Sequence, residues 1–89
     1  MVRREPMGLI TIYGSDNCLH CLRAKQLAEV FQLEHEYKSV VHYREEFDRE
    51  FPGETAIPQI IWGKKRLTGY EEFAILVNEY INNGENEND

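Results

Sequence analysis

Cysteine is scarce in this chain, and that scarcity excludes two architectures. Two cysteines in 89 residues cannot make the multi-bridge framework of small secreted domains. They are also too few thiolates for a closed zinc site, which takes four ligands. His20 lies between them, and His35 and His42 are separated by six residues rather than the usual three to five. Basic charge is the minority: 10 Lys and Arg stand against 16 Asp and Glu, for a net charge of −6. Lys64-Lys65-Arg66 is short and falls where a hairpin turn is expected, so no basic face for nucleic acid forms. No apolar run approaches the eighteen or so residues of a membrane span. Met1 to Gly8 carries Arg3 and Arg4, but no apolar stretch with a cleavage site follows. Internal repeats and linkers are absent. The expectation is one small cytoplasmic domain that meets neither membrane nor nucleic acid.

The composition sets its margins. The apolar fraction is 42% and the charged fraction 29%. A chain of this size buries roughly 60–65% of its unfolded surface, enough to fold alone with little to spare. Residues 83–89 contain no apolar side chain and three acids, Glu85, Glu87 and Asp89. Such a segment cannot offset its own ordering entropy and is expected to be a disordered acidic tail. Residues 1–7 are expected as a flexible extension, leaving 8–82 as the folded domain.

Within 8–82 the periodicity is clear. Leu9 to Tyr13 is β-branched with little polar alternation, which suggests a central strand buried on both faces. Ser15, Asp16 and Asn17 are N-cap residue types. Ala24, Leu27, Ala28 and Phe31 then recur at helical spacing to about Gln32. Glu34 to Val41 is a charged candidate strand, and strand–helix–strand order predicts a parallel pair. Tyr43, Phe47 and Phe51 mark a short helix ended by Pro52-Gly53. Gln59 to Trp62 reads as a strand, turned by Gly63-Lys64-Lys65 into an antiparallel partner, Arg66 to Thr68. Phe73, Leu76, Val77, Tyr80 and Ile81 predict a last helix after Gly69. The order is β-α-β-α-β-β-α.

The chemistry is concentrated at one junction. Cys18 and Cys21 stand between the first strand and the first helix, one helical turn apart and on one face. Only the thiolate attacks a disulfide, and an ordinary thiol is a few per cent ionised at neutral pH. A helix N-terminus offers Cys18 unpaired N–H groups and positive potential worth roughly 0.3–2 kcal/mol, hence a pKa lowering of up to ~1.5. The Cys21 N–H is a further donor. Cys18, the more exposed, is the expected nucleophile; Cys21 is the expected resolving thiol. The plainer alternative is a pair of small buried hydrophobes.

Three motifs in order, Cys18-Leu19-His20-Cys21, Ile57-Pro58-Gln59 and Thr68-Gly69-Tyr70-Glu71-Glu72-Phe73, make residues 8–82 resemble the glutaredoxin family, specifically its short dithiol class. The stretch Cys21-Leu22-Arg23-Ala24-Lys25-Gln26-Leu27-Ala28 is also very like the helix after the active site in bacterial members. The resemblance implies a thioredoxin fold, with a four-stranded mixed sheet flanked by three helices and a cis Ile57-Pro58 bond. It implies a glutathione-dependent thiol–disulfide oxidoreductase with glutathione as co-substrate and no metal. Its site residues would be Cys18 and Cys21 for catalysis, with His20, Ile57, Pro58, Tyr70, Glu71 and Glu72 around glutathione. In the family the Ile57 backbone position pairs with the cysteinyl residue of glutathione, and the Glu72 position helps hold its γ-glutamyl ammonium. Implied partners are glutathione and disulfide-containing proteins, ribonucleotide reductase among them, met by a monomer.

The departures are local. Leu19 and His20 replace the family's Pro and aromatic residue, restoring an N–H at the helix start. A cationic His20 would assist the Cys18 thiolate; the plainer reading is a histidine that faces solvent in the aromatic position. Ser15 stands where a base is common, and Asp16 adds a negative charge that disfavours the thiolate. Ala56-Ile57-Pro58 replaces Thr-Val-Pro, which puts the usual threonine contact in doubt, with Thr55 one place early. Glu71 and Glu72 also suit a helix start on charge grounds alone. Two other functions stay open: a redoxin reduced by thioredoxin reductase, and a [2Fe–2S] carrier ligated by Cys18 and glutathione. A bare interaction module on the same fold is the non-chemical alternative.

Overall fold

The structure is a computed structural model that describes residues 8–86. The elements follow the expected order: β1 (Ile10–Gly14), α1 (Leu19–Val30), β2 (His35–Ser39), α2 (Arg44–Glu50), β3 (Gln59–Trp62), β4 (Lys65–Thr68) and α3 (Gly69–Asn86). They form a four-stranded mixed sheet of order β2-β1-β3-β4 with three helices, a thioredoxin fold. α3 continues to Asn86, into the tail expected at 83–89; residues 1–7 and 87–89, where the extension and the rest of the tail were expected, lie outside the described residues.

β1 is central because it is the apolar strand. It pairs parallel with β2, Ile12 opposite Tyr37, and antiparallel with β3, Ile12 opposite Ile60. The alternation of side chains across a strand then divides the core in two. Ile10, Ile12, Ile60 and Trp62 face Ala24 and Ala28 of α1 and Phe73 and Val77 of α3. Trp62 anchors this side against Phe73 and Tyr80, ring centroids 5.9 and 5.2 Å apart. On the other face Tyr13, Val40 and Phe47 form a smaller core, closed by Phe51, Ile57 and Ile61.

The stripe of α1 differs from the expected one. Its buried residues are Cys21, Ala24 and Ala28, all small, which lets the helix lie close to the sheet. Phe31 is 47% exposed because the helix ends at Val30. The Phe31 N–H caps it on the Leu27 carbonyl, and Gln32 turns the chain at φ 57°.

The strand directions bring several chain ends to one edge. β1 and β2 finish there; β3, antiparallel, starts there; β4 finishes there and hands over to α3. The Val40 N–H donates to the Gly14 carbonyl at 2.9 Å, and the Gly69 N–H to the Pro58 carbonyl at 2.9 Å. Gly69 makes its turn at φ 88°, backbone that a residue with a Cβ adopts only with strain. No helix among the described residues is long and apolar enough to cross a membrane.

Candidate dithiol active site

Cys18 and Cys21 are joined as a disulfide, with Cα atoms 5.2 Å apart. Cys18 is the N-cap of α1, its backbone extended at φ −104° and ψ 112°. Its sulfur takes the place of the usual capping oxygen and accepts the Cys21 N–H at 3.2 Å. That donor is the one anticipated from the sequence. On reduction it points at the thiolate position, where the helix potential also favours negative charge. Cys18 is half-buried, while Cys21 is fully enclosed. One thiol is therefore open to a partner, and the other can be reached only through it.

The turn before Cys18 is tightly bonded. The Ser15 carbonyl accepts the Cys18 N–H at 3.1 Å and the Tyr37 hydroxyl at 3.0 Å. Ser15 Oγ accepts the Asn17 N–H at 3.2 Å. Burial first, and then the Asp16 charge, push the Tyr37 phenol above its ordinary pKa. Leu19 and His20 face solvent; Leu19 is 61% exposed.

Gly14 is buried directly beneath the disulfide. A Cβ built on it would stand 2.8 Å from both Cβ and Sγ of Cys21 and 2.6 Å from the Tyr37 hydroxyl. The strand can approach the helix here only because residue 14 has no side chain.

The second segment of the site is Ala56 to Gln59. Ile57-Pro58 is cis, as the resemblance implied. Pro58 is buried and Ile57 packs on the smaller core. Thr55 is exposed, and Gln59 does the anchoring in its place. Its amide is 1% exposed, donates to the Ala56 carbonyl at 3.0 Å and accepts the Thr68 hydroxyl at 3.0 Å. A buried amide of this kind must be paired, and these two bonds tie the Pro58 loop to the end of β4.

The third segment is the start of α3. Glu72 accepts the Thr68 N–H at 2.8 Å, a side chain reaching back to satisfy the turn before its own helix. Glu71 is exposed beside it. Tyr70 is half-buried and packs against the larger core. The Pro58–Gly69 bond fastens this segment to the second one, and the sheet order sets both beside the end of β1. Among the described residues, no three His, Cys, Asp or Glu side chains gather where a metal could sit.

Sequence reasoning missed three residues here. Gly14 was visible only as the end of a strand. Gln59 was visible only as the start of a strand and the last residue of the Ile57-Pro58-Gln59 motif. Tyr37 carried no local signal, being one aromatic in a charged strand.

An enclosed thiol bonded to a half-buried one, at a helix start on a four-stranded thioredoxin-type sheet, defines a thiol–disulfide oxidoreductase. No protein-family model matches the chain, and no curated protein matches it in sequence. Solved structures do. The chain is similar to reduced Escherichia coli glutaredoxin, at 28% identity over 84% of this chain and 99% of that one, with a TM-score of 0.68. It is similar in fold to NrdH-redoxin from Escherichia coli, a glutaredoxin-like protein with a thioredoxin-like activity profile; identity is 24%, coverage 79% and 93%, TM-score 0.68. A glutathione transferase homologue from Drosophila mojavensis with bound glutathione matches at 25% identity, covering 80% of this chain and 35% of that one, with a TM-score of 0.63. The fold and the Cys18–Cys21 pair fit a short dithiol glutaredoxin.

Proposed function

We propose that the chain is a glutathione-dependent thiol–disulfide oxidoreductase. The observation that carries this reading is the state of Ile57. Its backbone N–H and C=O have no hydrogen-bond partner among the described residues. The residues on either side are pinned, Ala56 by the Gln59 amide and Pro58 by Gly69. An unpaired peptide group held rigidly beside a strand end suits a short extended peptide that pairs with it as an added strand. Glutathione is a peptide thiol of that size. Its cysteine would pair with Ile57 while Tyr70 and the Glu71–Glu72 turn receive the γ-glutamyl end, charge-assisted through the carboxylates. His20 and Pro58 complete the groove.

The chemistry then follows from the two thiols. The Cys18 thiolate attacks the glutathionyl sulfur of a mixed disulfide, R–S–S–G. A Cys18–glutathione bond forms, the S–R bond breaks, and the leaving thiolate takes a proton from water. A second glutathione thiolate attacks the adduct, releasing oxidised glutathione and restoring Cys18. With a protein disulfide, Cys21 closes on Cys18 instead, and two glutathione molecules reduce the resulting bond. A monomer in a reducing compartment such as the cytoplasm suffices, and protein substrates such as ribonucleotide reductase fit this scheme.

Cys21→Ser protein treated with oxidised glutathione tests the groove. The expected product is a stable Cys18 adduct with amide NMR shifts at Ile57 and at residues 70–72 as well as around Cys18. Shifts confined to residues 15–22 would overturn the glutathione reading. They would leave the thioredoxin-reductase reading, which the likeness to NrdH-redoxin favours, in its place.

A further inference from the structure

Tyr37 lies in β2, outside every segment assigned above, yet its phenol reaches the turn that carries Cys18. It is paired with Ile12 across the β1–β2 ladder, so its side chain lies on the α1 side of the sheet with Ile12 and Gly14. The ring packs against the larger core with the Lys25 ammonium 5.4 Å above it. Two contacts at its tip matter. The hydroxyl donates at 3.0 Å to the Ser15 carbonyl, the same oxygen that accepts the Cys18 N–H at 3.1 Å. It also shares with the Cys21 sulfur the space left open by Gly14, the two lying 2.6 and 2.8 Å from one point above that glycine. One phenol thus braces the turn that carries Cys18 and closes the space beside Cys21.

We propose that Tyr37 is a positioning residue for the dithiol, holding Cys18 and Cys21 within reach of each other so that the ring-closing step is favoured. The inference rests on the pair being redox-active, and not on glutathione as reductant. In that step Cys21 loses its proton to water and its sulfur attacks the Cys18 sulfur of a Cys18–S–S–R adduct. The Cys18–Cys21 bond forms and the S–R bond breaks. The departing thiolate, which carries the electron pair, takes up a proton. Closure between two groups on one helix turn depends on how little freedom is lost in bringing them together. A braced turn loses less than a free one.

A binding role would change the response to any external thiol, whereas a positioning role changes only the intramolecular reaction. Two measurements on Tyr37→Phe, which keeps the ring and removes the hydroxyl, separate them. The first is equilibration of the pair with reduced and oxidised dithiothreitol. The disulfide of Tyr37→Phe should be about three- to tenfold easier to reduce than wild type, the range expected of one lost hydrogen bond, and tenfold is about 30 mV for this two-electron couple. The second is the release of a small thiol from the Cys18 adduct. Release by Cys21 should slow by a similar factor, and release by dithiothreitol in the Cys21→Ser background should not change. An unchanged equilibrium with an unchanged closure rate would overturn the proposal. So would equal slowing of both releases, which would place the effect on Cys18 itself. A wild-type pair that neither forms nor loses the disulfide in dithiothreitol buffers would instead overturn the redox reading beneath it.

Discussion

Gly14 and Cys21 are packed so closely that a methyl group on the glycine would stand 2.8 Å from the cysteine sulfur. The Cys18–Cys21 bond is therefore seated on bare strand backbone, and Cys21 has no room to retreat toward the sheet. Gly14→Ala must push α1 outward or turn the Cys21 side chain. Overpacking of this kind costs roughly 1–3 kcal/mol, a large share of the stability of a domain this small. The expected outcome is a lower denaturation midpoint, together with slower closure of Cys21 on a Cys18 adduct. Denaturant titration and stopped-flow release of a chromogenic thiol read the two effects separately.

Gln59 governs the second wall of the site. Replacing it by Leu keeps the volume but removes the 3.0 Å partner of the Ala56 carbonyl and of the Thr68 hydroxyl, both on exposed residues. Water can replace both partners, so each lost hydrogen bond costs about 0.5–1.5 kcal/mol. Because the loop it anchors carries Ile57, Gln59→Leu should also raise the KM for glutathione while leaving the alkylation rate of Cys18 unchanged. Steady-state kinetics and iodoacetamide trapping provide the comparison.

Glu72 has a capping role and a proposed binding role, and one substitution divides them. Glu72→Gln retains an oxygen for the Thr68 N–H but removes the charge. The fold should lose no more than the helix-start charge effect, about 0.3–1 kcal/mol. The KM for glutathione should rise several-fold if the carboxylate meets its ammonium, an interaction of the charge-assisted strength that supports such a change. A rise absent from the kinetics would reduce Glu72 to a cap.

Acid stability depends on a cluster away from the dithiol. The Lys38 ammonium, 2.7 Å from Glu46, and then the Tyr13 phenol, which donates to the same oxygen, hold the Glu46 carboxyl below the usual carboxylate range. A carboxyl with a lower pKa in the folded state stabilises the fold above its unfolded value and loses that contribution as pH falls through the folded one. Wild-type stability should therefore fall in acid below about pH 4.3, the ordinary Glu value. Glu46→Gln should be less stable at neutral pH and should lose less on acidification. Thermal unfolding at a series of pH values reads both.

Most of the fold was legible because it is periodic. The short apolar, β-branched runs of β1 and β3 and the helical spacing of Phe73, Val77 and Ile81 are local properties of the chain. The thiol pair was legible for the same reason: three positions of a helix fix which face Cys18 and Cys21 share. Phe31 misled because spacing continues to the end of a stripe whether or not the helix does. Gly14, Tyr37 and Gln59 were illegible for a different reason. Each matters through an atom far away in sequence: the Cys21 sulfur for Gly14, the Ser15 carbonyl for Tyr37, the Thr68 hydroxyl for Gln59. Such proximity follows from strand register, which no single window of sequence contains.

The source of electrons is the most direct test of the proposed function. The reduced chain is offered a glutathionylated peptide, with NADPH consumption followed in two coupled systems. One contains glutathione and glutathione reductase; the other contains thioredoxin reductase alone. The expected result is turnover in the first that disappears with Cys18→Ser and survives Cys21→Ser, and no turnover in the second. Turnover driven by thioredoxin reductase, with none from glutathione, would contradict it.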